Sequence, residues 1–443
     1  MKLKSLLLTA ALASASMGAM AQSVPTHEMY VDFGITASEG LVQALDKWQP
    51  GDNFSKDPNY VDENFFISRV PLKKRFVNPE TQANKNLVDG QDKNLCWCVP
   101  IGEMTKKWGP LQRYNFNGDN FNMWQYINIH ANWSNSWFRV PGSFNDVAHK
   151  NGVRTGCLYF IDWASSVTES SETGKTLGEL CAKENGKFKY AKKLIQFLKY
   201  YGIDGIGLNP EGQWSSTLND NFSSFLAECH KEAEKQNHPF HVEWYAFVSN
   251  QGGLSDNGCT LGVGQNDKWF HKDGAPVTDV FFLNYNWSRT GLEKSVNAAK
   301  SLGRSSYDVY AGYDQQGRGY GDLGNGGWKA LMDNPVSIVV WGAHDRSQLY
   351  ASSTEAGNSD LSTHYEYQTK QELLFTGGNR NVLDLPALKT GSSVTASYSD
   401  LADWHGYSTA VIEESSLTET PFVSRFNLGN GIDRKSTRLN SSH

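Results

Sequence analysis

Apolar and polar positions alternate along most of the chain as short apolar runs separated by amphipathic stretches. From residue 123 onward there are eight such runs, at 123–133, 154–163, 202–212, 240–248, 279–287, 307–315, 337–345 and 421–429. Strands that alternate with amphipathic helices pair in parallel, so the pattern predicts an α/β fold, a (β/α)8 TIM barrel.

The helical pattern is clearest in the stretch FKYAKKLIQFLKYYG, which ends at Gly202. Ala191, Leu194, Ile195 and Leu198 recur at the spacing of one helix face. Gly202 stands where a left-handed residue would cap the helix. The pattern predicts an amphipathic helix that packs on the barrel and ends at this glycine.

The flanking segments suggest four parts. Residues 1–21 combine two lysines, an apolar run and an A-x-A site, and they predict a secretory signal peptide. A polar lead-in is expected over 22–92 and the barrel over 93–434. The tail 435–443 resembles a non-native scar, because it is polar and has no period. We therefore expect a secreted, periplasmic or cell-surface protein with no membrane span.

Composition narrows the class of ligand. The chain carries a formal charge of −6 and no basic blocks, which argues against nucleic acid as a partner. Fourteen Trp and nineteen Tyr favour carbohydrate, because sugar rings stack on aromatic faces. Six cysteines are too few for a disulfide scaffold, and we interpret Cys96 and Cys98 as strand residues rather than metal ligands. The G-x-G-x-x-G match at 319–324 lies late in a glycine-rich loop, so we expect no dinucleotide, metal or other cofactor.

In a barrel of this type the active site lies at the carboxyl ends of the strands. Strand alternation places Asn209 and Glu211 on the same face of the run that reads IDGIGLNPEG. Other polar and aromatic side chains at predicted strand ends are Asp162, Trp163, Glu243, Tyr245, Asn284, Trp287, Tyr313, Asp314 and Trp341.

An amide beside an acid suits one kind of glycoside hydrolysis. Most glycosidases use two carboxylates, and an amide cannot replace either as nucleophile or base. It can hydrogen-bond the 2-acetamido group of an N-acetylglucosamine, whose own oxygen then attacks the anomeric carbon. Glu211 would serve as general acid and then as general base, and Asn209 would stabilise charge on the acetamido group.

The same candidate residues also suit purely structural roles. Asn-Pro-Glu also suits a strand-end turn, and Tyr245 also suits a core tyrosine with a buried hydroxyl. Trp287 and Trp341 equally suit barrel packing. Glu243 shares the face of Tyr245 but lies two residues deeper in the strand, so we interpret it as a supporting partner rather than a second acid.

The ordered motifs resemble the glycoside hydrolase family 85 endo-β-N-acetylglucosaminidases. The likeness runs from about residue 98 to 431. It is carried by FNDVAHKNGV, IDGIGLNPE, EWYAFV, DVFFLNYNW, DVYAGYDQQGRG and PFVSRFNLGNG, in that order.

The resemblance implies that Asn209 orients the acetamido group, that Glu211 is the acid/base and that Tyr245 assists. It also implies cleavage between the two N-acetylglucosamine units of an N-glycan core, on glycans or glycoproteins, together with transglycosylation. We expect Trp163, Asn284, Trp287, Tyr313 and Trp341 to bind the substrate. Two departures stand out. Ala246 stands where an acidic residue is common in such enzymes, and the chain stops just past Gly431, so we expect a form truncated before the β-sandwich regions that the family usually has.

Two other functions remain under consideration. Residues 204–211 keep the spacing of the chitinase-like family 18 signature D-x-x-D-x-D-x-E, although Gly207 and Asn209 replace its inner aspartates. A non-catalytic glycan-binding barrel would use the same aromatic strand ends but would not need Glu211 beside Asn209. Geometry at the strand ends distinguishes these.

Overall fold

The computed structural model describes residues 41–51, 67–87, 93–99, 121–133, 137–138, 140, 142–255, 258–318, 327–342, 361–377 and 404–416. Eight parallel strands form a closed barrel in which neighbours follow the chain order. They are β1 (Leu95–Val99), β2 (Ile129–Trp133), β3 (Arg154–Ile161), β4 (Gly205–Pro210), β5 (His241–Tyr245), β6 (Val280–Leu283), β7 (Val309–Asp314) and β8 (Ser337–Trp341). The predicted TIM-barrel fold is confirmed.

The position of one strand differs from the predicted count. Seven of the eight predicted apolar runs contain barrel strands, but the eighth strand precedes them all at Leu95–Val99. This strand closes the barrel by pairing with both β8 and β2. The run at 421–429 lies outside the described residues. Cys96 and Cys98 are strand residues inside the barrel, as interpreted from the sequence.

The described helices lie mostly outside the barrel. They are α1 (Leu41–Lys47), α2 (Gly142–Lys150), α3 (Glu172–Leu180), α4 (Ala191–Tyr201), α5 (Ser216–Lys235), α6 (Arg289–Ser301), α7 (Gln315–Arg318), α8 (Gly327–Asp333) and α9 (Leu361–Thr376). Among the described residues, the connection from β5 to β6 has only a short 3-10 turn, Asp267–Trp269, and a two-stranded hairpin.

Helix α4 has the predicted form. Ala191, Leu194, Ile195 and Leu198 are all buried. Gly202 caps the helix with φ of +70°, in the left-handed region that favours glycine. The helix thus presents an apolar stripe to its neighbours and ends where the sequence predicts.

Part of the lead-in belongs to the same core. Trp48 is buried and packs edge-on against Phe197 and Tyr200 of α4. In the part of the chain that the structure describes, no helix is long and apolar enough to cross a bilayer. The signal-peptide and tail segments lie outside the described residues, so those expectations remain predictions.

Each strand has one face toward the helices and one toward the barrel interior. The outer faces contribute to the large core between strands and helices, and the inner faces build a smaller cluster. Leu158 of β3, Tyr245 of β5, Phe282 of β6 and Tyr310 of β7 belong to the inner cluster. This alternation decides which strand-end side chains reach the mouth of the barrel.

Candidate active site

The amide and the acid predicted for the site lie together at the carboxyl end of β4. Asn209 is 7% exposed, and its Nδ2 donates a hydrogen bond to Oε2 of Glu211 at 2.9 Å. Glu211 follows the strand and is only partly buried. Because Nδ2 is engaged with Glu211, the Asn209 Oδ1 is left as an acceptor for a ligand N–H.

The surroundings of Glu211 favour its protonated form. Burial raises the pKa of Glu211, the hydrogen bond from Asn209 lowers it, and the charge of Asp162 raises it further. The net direction is upward. A partly exposed carboxyl with a raised pKa is suited to donate a proton to a leaving group.

Tyr245 lies on the next strand, β5, and faces the same site. Burial raises the pKa of Tyr245, and the charge of Glu211 is the second cause of the shift. The ring packs against Phe247 at 4.7 Å and Phe282 at 4.8 Å between centroids. Tyr245 is therefore a neutral phenol with a fixed ring near Glu211, placed as the sequence predicted.

Asn284, at the end of β6, is held by residues that the sequence analysis missed. Its Oδ1 accepts a hydrogen bond from the backbone N of Asn286 at 3.1 Å. Asn286 in turn accepts one from Arg318 of α7 at 2.8 Å. Arg318 also donates to the Tyr285 carbonyl at 3.2 Å. The network joins the loops after β6 and β7 and leaves the Asn284 Nδ2 as a donor.

Aromatic side chains line another part of the mouth. Trp341, at the end of β8, lies against Trp133 of β2 with ring centroids 4.6 Å apart. Trp133 stacks on Phe160 of β3 at 5.9 Å and 11° between planes. All three are partly exposed. Trp341 reaches the mouth as predicted, whereas Trp133 and Phe160 were not predicted to belong to the site.

Trp163 stands at the rim of the mouth. It is 55% exposed and touches Phe247 edge-on, with centroids 5.4 Å apart. Phe247 packs on Tyr245, so a continuous set of aromatic contacts leads from solvent to Tyr245. Trp163 is placed where a sugar ring could stack on it.

Two predicted substrate-binding residues are wrong. Trp287 is 2% exposed and donates its indole N–H to the Gly312 carbonyl at 2.8 Å, so the packing interpretation holds for it. Tyr313 is 1% exposed and packs outside the barrel against Trp328 and Trp404. Strand alternation gives the inward position to the next residue, Asp314, which is partly exposed.

Glu243 lies below the mouth, in the barrel interior. It is 3% exposed, and its Oε1 lies 2.9 Å from Nε2 of His241. Burial raises the pKa of Glu243 to about 8, and burial lowers that of His241 well below its usual value. Burial therefore favours the uncharged form of both side chains. This geometry agrees with the supporting role inferred from sequence depth.

Possible ligands for a metal ion are dispersed. Within the described residues, no group of three or more His, Cys, Asp or Glu side chains is arranged to hold one. The arrangement at the mouth offers instead a proton donor, a neighbouring amide acceptor, a fixed phenol and stacking surfaces. A parallel α/β barrel with this strand-end acid and amide defines a class of sugar-processing proteins.

Comparison with protein families gives the particular family. The profile of Glycosyl hydrolase family 85 matches residues 104–434, which is most of the chain. The chain belongs to this family, so the resemblance seen in the motifs is confirmed.

Similar proteins are known from vertebrates and from a bacterium. The cytosolic endo-beta-N-acetylglucosaminidase of Gallus gallus is 26% identical over 314 residues, covering 69% of this chain and 38% of that protein. The Homo sapiens protein of the same name is 27% identical over 201 residues, covering 45% of this chain and 25% of that protein. The chain thus spans well under half the length of these relatives.

A solved structure shares the fold. The glycoside hydrolase domain of Endo-D from Streptococcus pneumoniae R6 superposes with a TM-score of 0.61 at 22% sequence identity. The match covers 84% of this chain and 54% of that one. It supports the same barrel architecture across most of the chain.

Proposed function

We propose that this protein is an endo-β-N-acetylglucosaminidase that cleaves the GlcNAc-β1,4-GlcNAc core of N-glycans by substrate-assisted, retaining catalysis. The observation that carries the proposal is the hydrogen bond between Asn209 and Glu211 at the carboxyl end of β4. The family membership and the names of the relatives support the same reaction.

In the first step the substrate supplies its own nucleophile. The acetamido oxygen of the sugar attacks its anomeric carbon while Glu211 donates a proton to the departing oxygen of the second N-acetylglucosamine. The bond between the two sugars breaks and an oxazolinium ring forms. Asn209 accepts the acetamido N–H through Oδ1, which stabilises the positive charge that develops on that group.

In the second step water opens the ring. Glu211, now a carboxylate, takes a proton from the water that attacks the anomeric carbon, and the acetamido group is restored. Configuration is retained because the anomeric carbon is attacked twice from opposite faces. A sugar hydroxyl in place of water would give transglycosylation. The neutral phenol of Tyr245 lies beside the attacking water or hydroxyl and can form a hydrogen bond there.

The remaining lining suits a carbohydrate. Trp163, Trp133 and Trp341 offer rings for stacking, and Asn284 and Asp314 offer hydrogen bonds to hydroxyls. N-linked glycans and glycoproteins are the proposed partners. We further propose export after cleavage of residues 1–21, although the named vertebrate relatives are called cytosolic. Sequencing the N-terminus of protein recovered from the medium or periplasm tests the export.

The function is tested by mass spectrometry of both products after incubation with an N-glycosylated protein. The expected products are a protein carrying one N-acetylglucosamine per site and a glycan that ends in a single N-acetylglucosamine. The matched control is Glu211→Gln, which preserves shape and removes the transferable proton. Binding of high-mannose, hybrid and complex glycans without cleavage of any would overturn the proposal in favour of a glycan-binding barrel.

A further inference from the structure

The loop after β3 is joined directly to the backbone of the acid. Ile161 pairs with Pro210 in the barrel, so Asp162 and Glu211 are the next residues on neighbouring parallel strands. The Ala164 N–H donates to the Glu211 carbonyl at 2.9 Å, and the Glu211 N–H donates to the Ile161 carbonyl at 3.3 Å. The two carboxyl-bearing residues are therefore held side by side by backbone bonds.

The turn that carries Asp162 is fixed in shape. The Asp162 carbonyl accepts bonds from the Ser165 backbone N at 3.1 Å and the Ser165 hydroxyl at 2.7 Å. Ala164 occupies the third position of this turn with φ of +56°, where glycine would be unstrained. A residue other than glycine held in this region is strained by about 1 kcal/mol. The bond from the Ala164 N–H to the Glu211 carbonyl connects this turn to the acid.

Beyond the turn the two chains pair again. Ser166 and Val167 form a short parallel ladder with Gln213 and Trp214. Gly212 permits this close approach, because a Cβ there would lie 2.9 Å from the Ser165 carbonyl oxygen. Asp162 and Glu211 are thus enclosed between paired segments on both sides, so their separation is set by the fold.

Other titratable and charged groups lie near Tyr245, on or after β5, β6 and β7. Tyr245 of β5 and Tyr285 after β6 both have a raised pKa, chiefly through burial, and are neutral in the working range. Asp314 and Arg318, on the β7 side, form an ion pair of 3.8 Å. Cys259 lies near Tyr245. The charge of Asp162 raises the pKa of Glu211.

We propose that Asp162 is a positioning residue whose negative charge keeps the proton on Glu211 and so extends the working range of the enzyme toward higher pH. Asp162 is exposed, whereas Glu211 is half-buried. Two neighbouring carboxyls in unequal surroundings divide the roles of charged group and acid. The inference rests on the proposed role of Glu211 as general acid.

The test is the pH dependence of kcat/KM for release of the glycan from a labelled glycopeptide. In the wild-type enzyme, kcat/KM should fall as pH rises through the pKa of Glu211, because the acid must be protonated. Asp162→Asn should move this basic limb down by about half a pH unit and leave the rate on the acid side nearly unchanged. An unmoved basic limb in Asp162→Asn overturns the proposal.

The matched control is Asp273→Asn, which removes one exposed charge near the amino-terminal end of β6. Asp273 has φ of +53°, which asparagine tolerates equally well. The Asp273→Asn variant should leave the basic limb of kcat/KM in place. A shift equal to that of Asp162→Asn would overturn a specific role for Asp162.

Salt gives a second test that needs no variant. Raising the salt from about 0.02 M to about 0.5 M screens an exposed charge and should lower the limb in wild type. The same increase in salt should lower the basic limb far less in Asp162→Asn. A wild-type limb that does not respond to salt counts against the proposal even where Asp162→Asn fails to fold.

The pH titration of the Glu211 carboxyl carbon can be followed by carbon-13 NMR, with Glu211→Gln used to assign its signal. This measurement tests the coupling to Asp162 separately from the proposed enzymatic function. A titration that moves in Asp162→Asn, in a protein that cleaves no glycan, would support the coupling and overturn only the function. Cleavage by the wild type together with an unmoved titration would overturn only the role of Asp162.

Discussion

Two glutamates of this barrel share a raised pKa and differ in their access to solvent. Glu211 lies half-buried at the mouth and bonds to Asn209 at 2.9 Å. Glu243 lies in the interior at 3% exposure and pairs with His241 at 2.9 Å. Burial is the largest cause of the raised pKa in both. A raised pKa therefore does not by itself identify a catalytic acid, because of these two glutamates only Glu211 is partly exposed to solvent.

Three glycines of neighbouring strands pack closely against Glu243 and His241 in the barrel interior. A Cβ on Gly156 would lie 3.0 Å from the His241 Nε2, and one on Gly205 would lie 2.4 Å from the same ring. A Cβ on Gly207 would lie 3.0 Å from the Glu243 Oε2. Because glycine has no side chain, these positions leave room for the pair of Glu243 and His241. The pair fills a space inside the barrel, whereas Glu211 borders an open one.

The largest expected effect separates the two glutamates directly. Glu211→Gln should lower kcat/KM for glycan release by about a thousandfold, because general acid and base catalysis are both lost. Glycan affinity and melting temperature should stay close to those of the wild type. Steady-state kinetics and calorimetry check this. Glu243→Gln is the matched control and should retain activity, since burial favours the neutral form of Glu243. A comparable loss in both variants would end the contrast between mouth and interior.

The next effect concerns the amide at the mouth. Asn209→Ala should lower glycan release by about a hundredfold, because the acetamido group loses its hydrogen-bond partner as charge develops. A preformed sugar oxazoline should be used far more efficiently than the natural glycan by this variant, since its ring is already closed. Product analysis with both donors measures the difference. Full glycan-releasing activity in Asn209→Ala would reject the acetamido role.

The strand pattern identified the acid and its amide but not every neighbour. Asn209 and Glu211 were found because two polar residues with one residue between them share a face at a strand end. Tyr313 was assigned to the wrong face, because a displacement of one residue reverses the side of the sheet. Asp314, the next residue, occupies the inward position instead. Seven strands followed from apolar runs, whereas β1 was left out of the count.

Contacts between loops were beyond sequence reasoning. Arg318 bonds to Asn286, which lies 32 positions away in the chain, and only the barrel brings them together. Nothing in the local pattern of either segment indicates the other. Trp133 could have been found, since it ends an apolar run in the same way as Trp341. The pairing of Glu243 with His241 likewise follows from alternation, but its enclosure by glycines on two other strands does not.

A smaller effect tests the closed interior. Gly205→Ala should lower the free energy of unfolding by about 2 kcal/mol, because the added methyl meets the His241 ring in a packed space. Gly178→Ala is the matched control, since it lies in α3 with its nearest neighbour at 4.0 Å. It should stabilise the protein by about 0.5–1 kcal/mol. Denaturant unfolding of both variants decides, and an unaffected Gly205→Ala would mean that the interior is not tightly filled.

A final effect is the pH dependence of stability that Glu243 produces in the barrel interior. The pKa of Glu243 is raised from its ordinary 4.5 to about 8, so the folded state holds a proton that the unfolded state releases. This contribution to stability is complete below the unfolded value and is lost as pH rises toward 8. His241, with a lowered pKa, acts in the opposite direction below its ordinary 6.5. Between pH 6.5 and 8 the Glu243 contribution remains unopposed by His241, so wild type should lose stability relative to Glu243→Gln. Denaturant unfolding of the two proteins across this range measures the difference. Parallel curves would mean that the native state does not hold a proton on Glu243 in this range, and burial would then not separate the interior glutamate from an ordinary one.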